Sequence, residues 1–227
     1  MGSGLPVLVA CSHGTRDAAG QRAIDQLREA VSALRPELTV VEAYVDVQEP
    51  KLSEVLRDTG SAVVVPVLLS SGYHLHVDIA DAVAAAGPDV RMAPTLGPDR
   101  ALVSVLAQRI EEAAVWADHA VVLAAAGSSD RRAVTDVERM AAGLTELLDR
   151  PIVPAYASAA EPRVERAVTQ LRSDAGRVAI ASYLLAQGYF YDQLGRAGAD
   201  IVTAPLLPHP AIAELVLQRY DEVLRGA

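Results

Sequence analysis

The chain has a single cysteine, Cys11, so no intrachain disulfide can form and packing must hold the fold. A reducing compartment suits that composition, and a cytoplasmic protein is the expectation. Aromatic residues are scarce at 4%, with one Phe and one Trp, and Ala and Val supply most of the apolar mass. Such mass suits helices packed on a buried parallel sheet. No apolar run reaches the roughly 20 residues a membrane helix needs, so no membrane partner is expected. The opening Met1-Gly-Ser-Gly4 has no basic segment followed by an apolar one and does not read as a signal peptide. Positive charge is also short: 20 Lys and Arg stand against 29 Asp and Glu, for a net charge of −9. No basic run offsets this. The chain therefore repels nucleic acid and anionic lipid, and an anionic small molecule would need a local cluster of Arg.

What is present describes a globular protein. Of the 227 residues, 51% are hydrophobic and 22% charged, enough for one large domain or two small ones. Short apolar runs at Pro6–Cys11, Leu38–Val45, Ala62–Leu69 and Val90–Ala93 read as strands. Helical spacing separates them at Gln21–Leu34, in a short helix opening at Pro50, and at Val77–Ala86, and follows them at Ala101–Ala114. Pro50, Pro98, Pro162 and Pro210 stand where helices are expected to start. Alternation of this kind argues for a parallel α/β sheet.

The pattern is written twice. Gly14 returns as Gly127 (127 − 14 = 113), Glu49-Pro50 as Glu161-Pro162 (161 − 49 = 112), Gly72-Tyr73 as Gly188-Tyr189 (188 − 72 = 116), and Ala93-Pro94 as Ala204-Pro205 (204 − 93 = 111). Four landmarks in order at nearly one spacing indicate duplication of a four-stranded α/β unit, with a period far too long for a solenoid. The seam falls near Ala114–Asp118. The expectation is two similar domains, residues 1–115 and 116–227, each a mainly parallel four-stranded sheet flanked by helices.

Ligands of open parallel sheets bind beyond the carboxyl ends of the strands. There the first half carries His13 after its first strand, Asp46 after its second and His74 after its third. Two imidazoles and a carboxylate can bind a divalent transition metal and move protons near neutral pH. Each also fits a plainer role: a strand-end histidine can face solvent, and Asp46 can cap the next helix. His76, two residues from His74, is given a secondary or surface role. Cys11 fits the core as a small apolar residue. His119 and His209 read as structural. The duplication sharpens the choice, because Ala126 falls opposite His13 and Phe190 opposite His74. The second half keeps the scaffold and lacks both imidazoles, which fits one active half and one supporting half.

At these residues the chain resembles a known family. Val7-Leu-Val-Ala-Cys-Ser-His-Gly-Thr-Arg-Asp17 resembles the "GHGSR" opening of the class II chelatases, the sirohydrochlorin and cobalt chelatases of sirohaem and cobalamin synthesis. Tyr44-Val-Asp-Val-Gln-Glu-Pro50 resembles their "FLELxEP" segment, and residues 63–79 resemble "VVPLFLxxGxHxxxDIP". The resemblance runs over both halves in outline, as in the long two-domain members.

It implies two chelatase-like domains and ATP-independent insertion of Fe²⁺ or Co²⁺ into sirohydrochlorin. The ion is then a substrate, and no organic cofactor is implied. The family's metal-site histidines fall on His13 and His74, and its carboxylate on Asp46, where this chain has Asp for Glu, one methylene shorter. Ala80 replaces the Pro after Asp-Ile. A flat macrocycle needs an apolar slot, for which Leu68, Leu69 and Tyr73 of the first half and Leu184, Leu185, Tyr189, Phe190 and Tyr191 of the second are candidates. Arg16, Arg131 and Arg132 are candidates for the carboxylates of a tetrapyrrole partner. Core packing and plain surface charge are the competing roles for these residues. The ligand types do not choose among Fe²⁺, Co²⁺ and Ni²⁺, and the sequence leaves monomer and homodimer open. A metal-binding or metal-delivery protein without catalysis would use the same histidine pair.

Overall fold

The computed structural model describes residues 4–70 and 72–226, and for Tyr73, His74, Leu75 and His76 the backbone alone. The first repeat contains β1 (Val7–Ser12), α1 (Ala18–Leu34), β2 (Val40–Tyr44), α2 (Leu52–Asp58), β3 (Ala62–Pro66), α3 (Tyr73–Ala86), β4 (Val90–Met92) and α4 (Arg100–Glu112). The second contains β5 (His119–Ala125), α5 (Arg131–Leu148), β6 (Ile152–Tyr156), α6 (Val164–Ala175), β7 (Arg177–Tyr183), α7 (Tyr189–Arg196), β8 (Ile201–Val202) and α8 (Pro210–Arg225). Every ladder is parallel, and the strand orders are β2-β1-β3-β4 and β6-β5-β7-β8. The carboxyl ends of β2, β1 and β3 thus lie side by side, as the sequence predicts.

Both faces of each sheet are covered, which explains the unbroken apolar runs. In β3 all five residues are buried. Val9, Cys11, Ala43 and Val64 pack with Leu52 and Leu56 of α2 and Ile79 of α3. Strand alternation sends Leu8, Val63 and Val65 to the opposite face, where α8 meets β3 and α1 packs on α8. The second sheet repeats this, with α6 and α7 on one face and α4 and α5 on the other.

Several boundaries differ from the sequence reading. Pro210 does open α8, but Pro50, Pro98 and Pro162 stand two residues before their helices and follow cis peptide bonds, in turns that precede the helix. His119, which the sequence places just before a strand, is the first residue of β5, and α3 starts at Tyr73, four residues before the expected Val77. The glycine before it takes an extended conformation at the N-cap, and the polar run that follows is the helix's first turn.

The compact units do not follow the repeat seam. One consists of Met1–Leu96 with His209–Ala227, the other of Gly97–Pro208. Helix α4 therefore belongs with the second sheet and α8 with the first, so the division into 1–115 and 116–227 describes the repeats and not the packing. The last helix of each repeat is fixed by an arginine. Arg219 of α8 donates to the carbonyls of Thr95 (3.0 Å) and Leu96 (3.1 Å). Arg109 of α4 donates to those of Pro205 (3.0 Å), Leu206 (3.2 Å) and Pro208 (2.7 Å). Periodicity cannot report which sheet a helix covers, because the helical stripe is the same in either place. Among the described residues, no helix is long and apolar enough to cross a membrane.

Candidate functional site

His13 follows the last residue of β1 and is exposed. The β1 ladder runs into the loop beyond β2, where Val45 N–H donates to the Ser12 carbonyl at 3.0 Å and Asp46 and Val47 N–H both donate to the His13 carbonyl at 3.3 Å. The backbones of His13 and Asp46 are therefore bonded neighbours. Gly14 makes this approach possible. Its φ of +92° disfavours any side chain, and a Cβ there would lie 3.1 Å from both the Gln48 nitrogen and the Val47 Cβ.

Two side chains secure the same turn: Gln48 Oε1 accepts from Thr15 N–H at 2.8 Å, and Gln21 Nε2 donates to the Thr15 carbonyl at 2.9 Å. The loop carrying Asp46 is tied back by Lys51, the chain's single lysine. Its ammonium donates to the carbonyls of Asp46 and of Gln48, the latter at 3.1 Å, and sits 3.5 Å from Glu49. Lys51, and not Asp46, is the N-cap of α2. The capping role for Asp46 falls away, and Asp46 is exposed, with its backbone N–H bonded to the His13 carbonyl.

His74 and Tyr73 lie in the first turn of α3, beyond β3, which neighbours β1. The side chains of Tyr73, His74 and His76 lie outside the described residues. Among the described residues no three His, Cys, Asp or Glu side chains form a group that could hold a metal ion. Cys11 is fully buried, and desolvation pushes its thiol up to about 12, as befits a core residue. His119 is buried with Nδ1 3.1 Å from Asp118, and His209 caps α8 by accepting from Ala211 N–H at 3.2 Å. Both are structural.

The two repeats can be aligned through the ladders themselves. Ser12 pairs with Tyr44 as Ala125 pairs with Tyr156, which puts Ala126 at the His13 position and Ser158 at that of Asp46. The Leu68 carbonyl accepts from Leu96 N–H as the Leu184 carbonyl does from Leu206 N–H, each at 2.9 Å, which puts Phe190 at the His74 position. Ser158 is turned inward, its hydroxyl donating to the Ala126 carbonyl at 2.8 Å. Phe190 is half-buried against the core of its own unit, as is Ala126. Its ring meets that of Tyr189 edge to face at 5.4 Å, and Tyr189 is 71% exposed. Tyr191 belongs to the core edge, with its hydroxyl donating to the Thr203 carbonyl at 3.3 Å. Of the aromatic trio, Tyr189 offers the most free surface, a distinction periodicity did not make.

Arg16 and Arg131 are exposed at the starts of α1 and α5 and form no ion pair among the described residues. Arg132 is held by its own cap, Asp130, at 2.9 Å. Gln48 and Lys51 carry no distinguishing pattern in the sequence. Their signal is only visible once the loops are paired.

No curated protein sequence is a significant match. Solved structures are similar in fold. SirB from Bacillus subtilis with Fe³⁺ matches at 22% identity over 96% of this chain and 94% of that one, with a TM-score of 0.82. The sirohydrochlorin chelatase SirB from Bacillus subtilis subspecies spizizenii in complex with cobalt matches at 18% identity, over 97% and 96%, with a TM-score of 0.80. A CbiX described as the terminal enzyme of sirohaem biosynthesis in denitrifying bacteria matches at 20% identity, over 98% and 100%, with a TM-score of 0.72. The CbiX family's model matches twice, over residues 7–113 and 120–223, once in each repeat. With both repeats accounted for, the chain belongs to the CbiX family.

Proposed function

We propose that this protein is a metal chelatase that inserts a divalent ion, Fe²⁺ or Co²⁺, into sirohydrochlorin without ATP. The observation that carries the reading is the first repeat's carboxyl edge, where the His13 turn is bonded to the Asp46 loop and His74 opens the next helix along. Family membership and the sirohydrochlorin, iron and cobalt named for the similar structures support the substrate.

The chemistry suits the residue types. Metallation strips water from a divalent ion and releases two pyrrole N–H protons. On this reading His13 and His74 hold the ion through neutral imidazole nitrogens and accept protons as it departs into the macrocycle. Asp46 offsets the ion's charge beside His13 and is a second proton acceptor. Four thiolates would bind too tightly for an ion that must leave, and the buried Cys11 is out of reach. Arg16, Tyr73, Phe190 and Arg131 are proposed for the macrocycle and its carboxylates, with Tyr189 added by its exposure. The second repeat, which lacks both imidazoles, holds no metal.

Purified protein mixed with sirohydrochlorin and each metal in turn tests this, with the tetrapyrrole absorption spectrum as the readout. Acceleration over the uncatalysed shift supports a chelatase. Metal binding with no acceleration indicates a delivery protein instead.

A further inference from the structure

We propose that Gln48 is a positioning residue that sets His13 for metal binding, which rests on the reading of His13 as a metal ligand. Its amide oxygen accepts from Thr15 N–H at 2.8 Å across 33 residues of chain. That bond joins the segment two residues after His13 to the segment two residues after Asp46. Gln21 completes the clamp from α1, donating to the Thr15 carbonyl at 2.9 Å. Gln48 is partly buried, so its bond is shielded from competing water.

The second repeat supplies an internal control. The alignment that puts Ser158 at Asp46 puts Ala160 at Gln48, and the one that pairs the caps Asp17 and Asp130 puts Val134 at Gln21. Both amides are missing from the repeat that lacks the histidine. Other features of the turn persist there: Ser128 Oγ accepts from Asp130 N–H as Thr15 Oγ1 accepts from Asp17 N–H, both at 3.1 Å, and the glycine has a φ of +93°. Arg163, at the Lys51 position, also ties the loop back, but to the Ala157 carbonyl, at the position of Val45. The second repeat therefore forms its turn without the amides, with Ser158 Oγ donating to the Ala126 carbonyl where the first repeat has the Val47 N–H bond to His13. What the clamp adds is restricted to the turn that bears His13.

The test compares Gln48→Ala, Gln48→Glu and His13→Ala with wild type. Ala reproduces the residue the second repeat folds with, and Glu keeps an acceptor for Thr15 N–H. Co²⁺ alone is titrated, its visible absorption recorded, and sirohydrochlorin metallation and melting temperature measured alongside. Gln48→Ala is expected to bind Co²⁺ about 10-fold more weakly, with altered bands, the usual scale for a residue that orients a ligand. Gln48→Glu should stay within about 3-fold of wild type, and both should melt near the wild-type temperature. Wild-type Co²⁺ affinity and bands in Gln48→Ala, with both lost in His13→Ala, would overturn the positioning role. A His13→Ala protein that binds Co²⁺ and metallates like wild type would overturn the metal-site reading beneath it.

Discussion

Phe190 stands where the first repeat has His74, and the exchange turns a ligating, basic ring into one that can do neither. Its half-buried ring leaves an edge beside the exposed Tyr189. Full burial of Phe would make Phe190→Ala cost about 3–5 kcal/mol, and the half-burial here places the expected loss below that range. The same variant should weaken tetrapyrrole binding and leave the affinity for Co²⁺ alone unchanged, which thermal melts with two binding titrations would show. Unchanged tetrapyrrole affinity would leave the residue as packing only. Within α3, His74→Ala should reduce metallation by at least ~100-fold, the scale for losing a positioned base or ligand, and His76→Ala should be milder. Steady-state rates of the two variants decide, and equal damage would move the assignment to His76.

Helix α8 is joined to α1 by Arg35 and Asp221, whose paired bonds measure 2.6 and 2.8 Å. The Arg35 guanidinium holds the Asp221 carboxyl below the ordinary carboxylate range, against an opposing desolvation. A depressed folded value means that the stabilisation is present above the unfolded pKa of about 3.9 and is lost as pH falls through the folded one. The two side chains are 26% and 34% exposed, so solvent screening limits the effect to about 0.5–1 kcal/mol. Asp221→Asn should therefore be less stable in urea at pH 7, with the gap to wild type closing below about pH 4. A gap that persists in acid would assign it to something other than this charge pair. At this scale the sequence was informative about strands, since runs such as Ala62–Pro66 are buried on both faces. It was less so about helix starts. The tract at 70–76 is polar, and its entry into α3 depends on the extended Gly72. Likewise Pro50, Pro98 and Pro162 act in turns before the helices, a difference composition cannot show. The edge carrying His13 and Asp46 was legible because parallel strands end together. The amides of Gln48 and Gln21 were not, because their partner is a backbone group brought near only by folding.

Across the whole chain, duplication could be read from spacing, whereas the exchange of α4 and α8 between the two compact units could not. Residues 209–227 belong with the first unit, where Ile212, Val216 and Tyr220 of α8 are fully buried. Burying each such side chain contributes about 1.5–3 kcal/mol, against a total stability of about 5–15 kcal/mol for a typical protein. Removing residues 209–227 should therefore abolish cooperative unfolding of the first unit, although every residue of its sequence repeat remains. Thermal melts followed by circular dichroism would show it, and an unchanged sharp transition would refute the exchange. The chemistry is tested by the initial rate of sirohydrochlorin metallation with Co²⁺ and with Fe²⁺, for wild type, His13→Ala and His74→Ala. A chelatase with its metal site in the first repeat gives acceleration in the wild type and a loss of at least ~100-fold in each variant. Full activity in either variant, or no acceleration by the wild type, would contradict it.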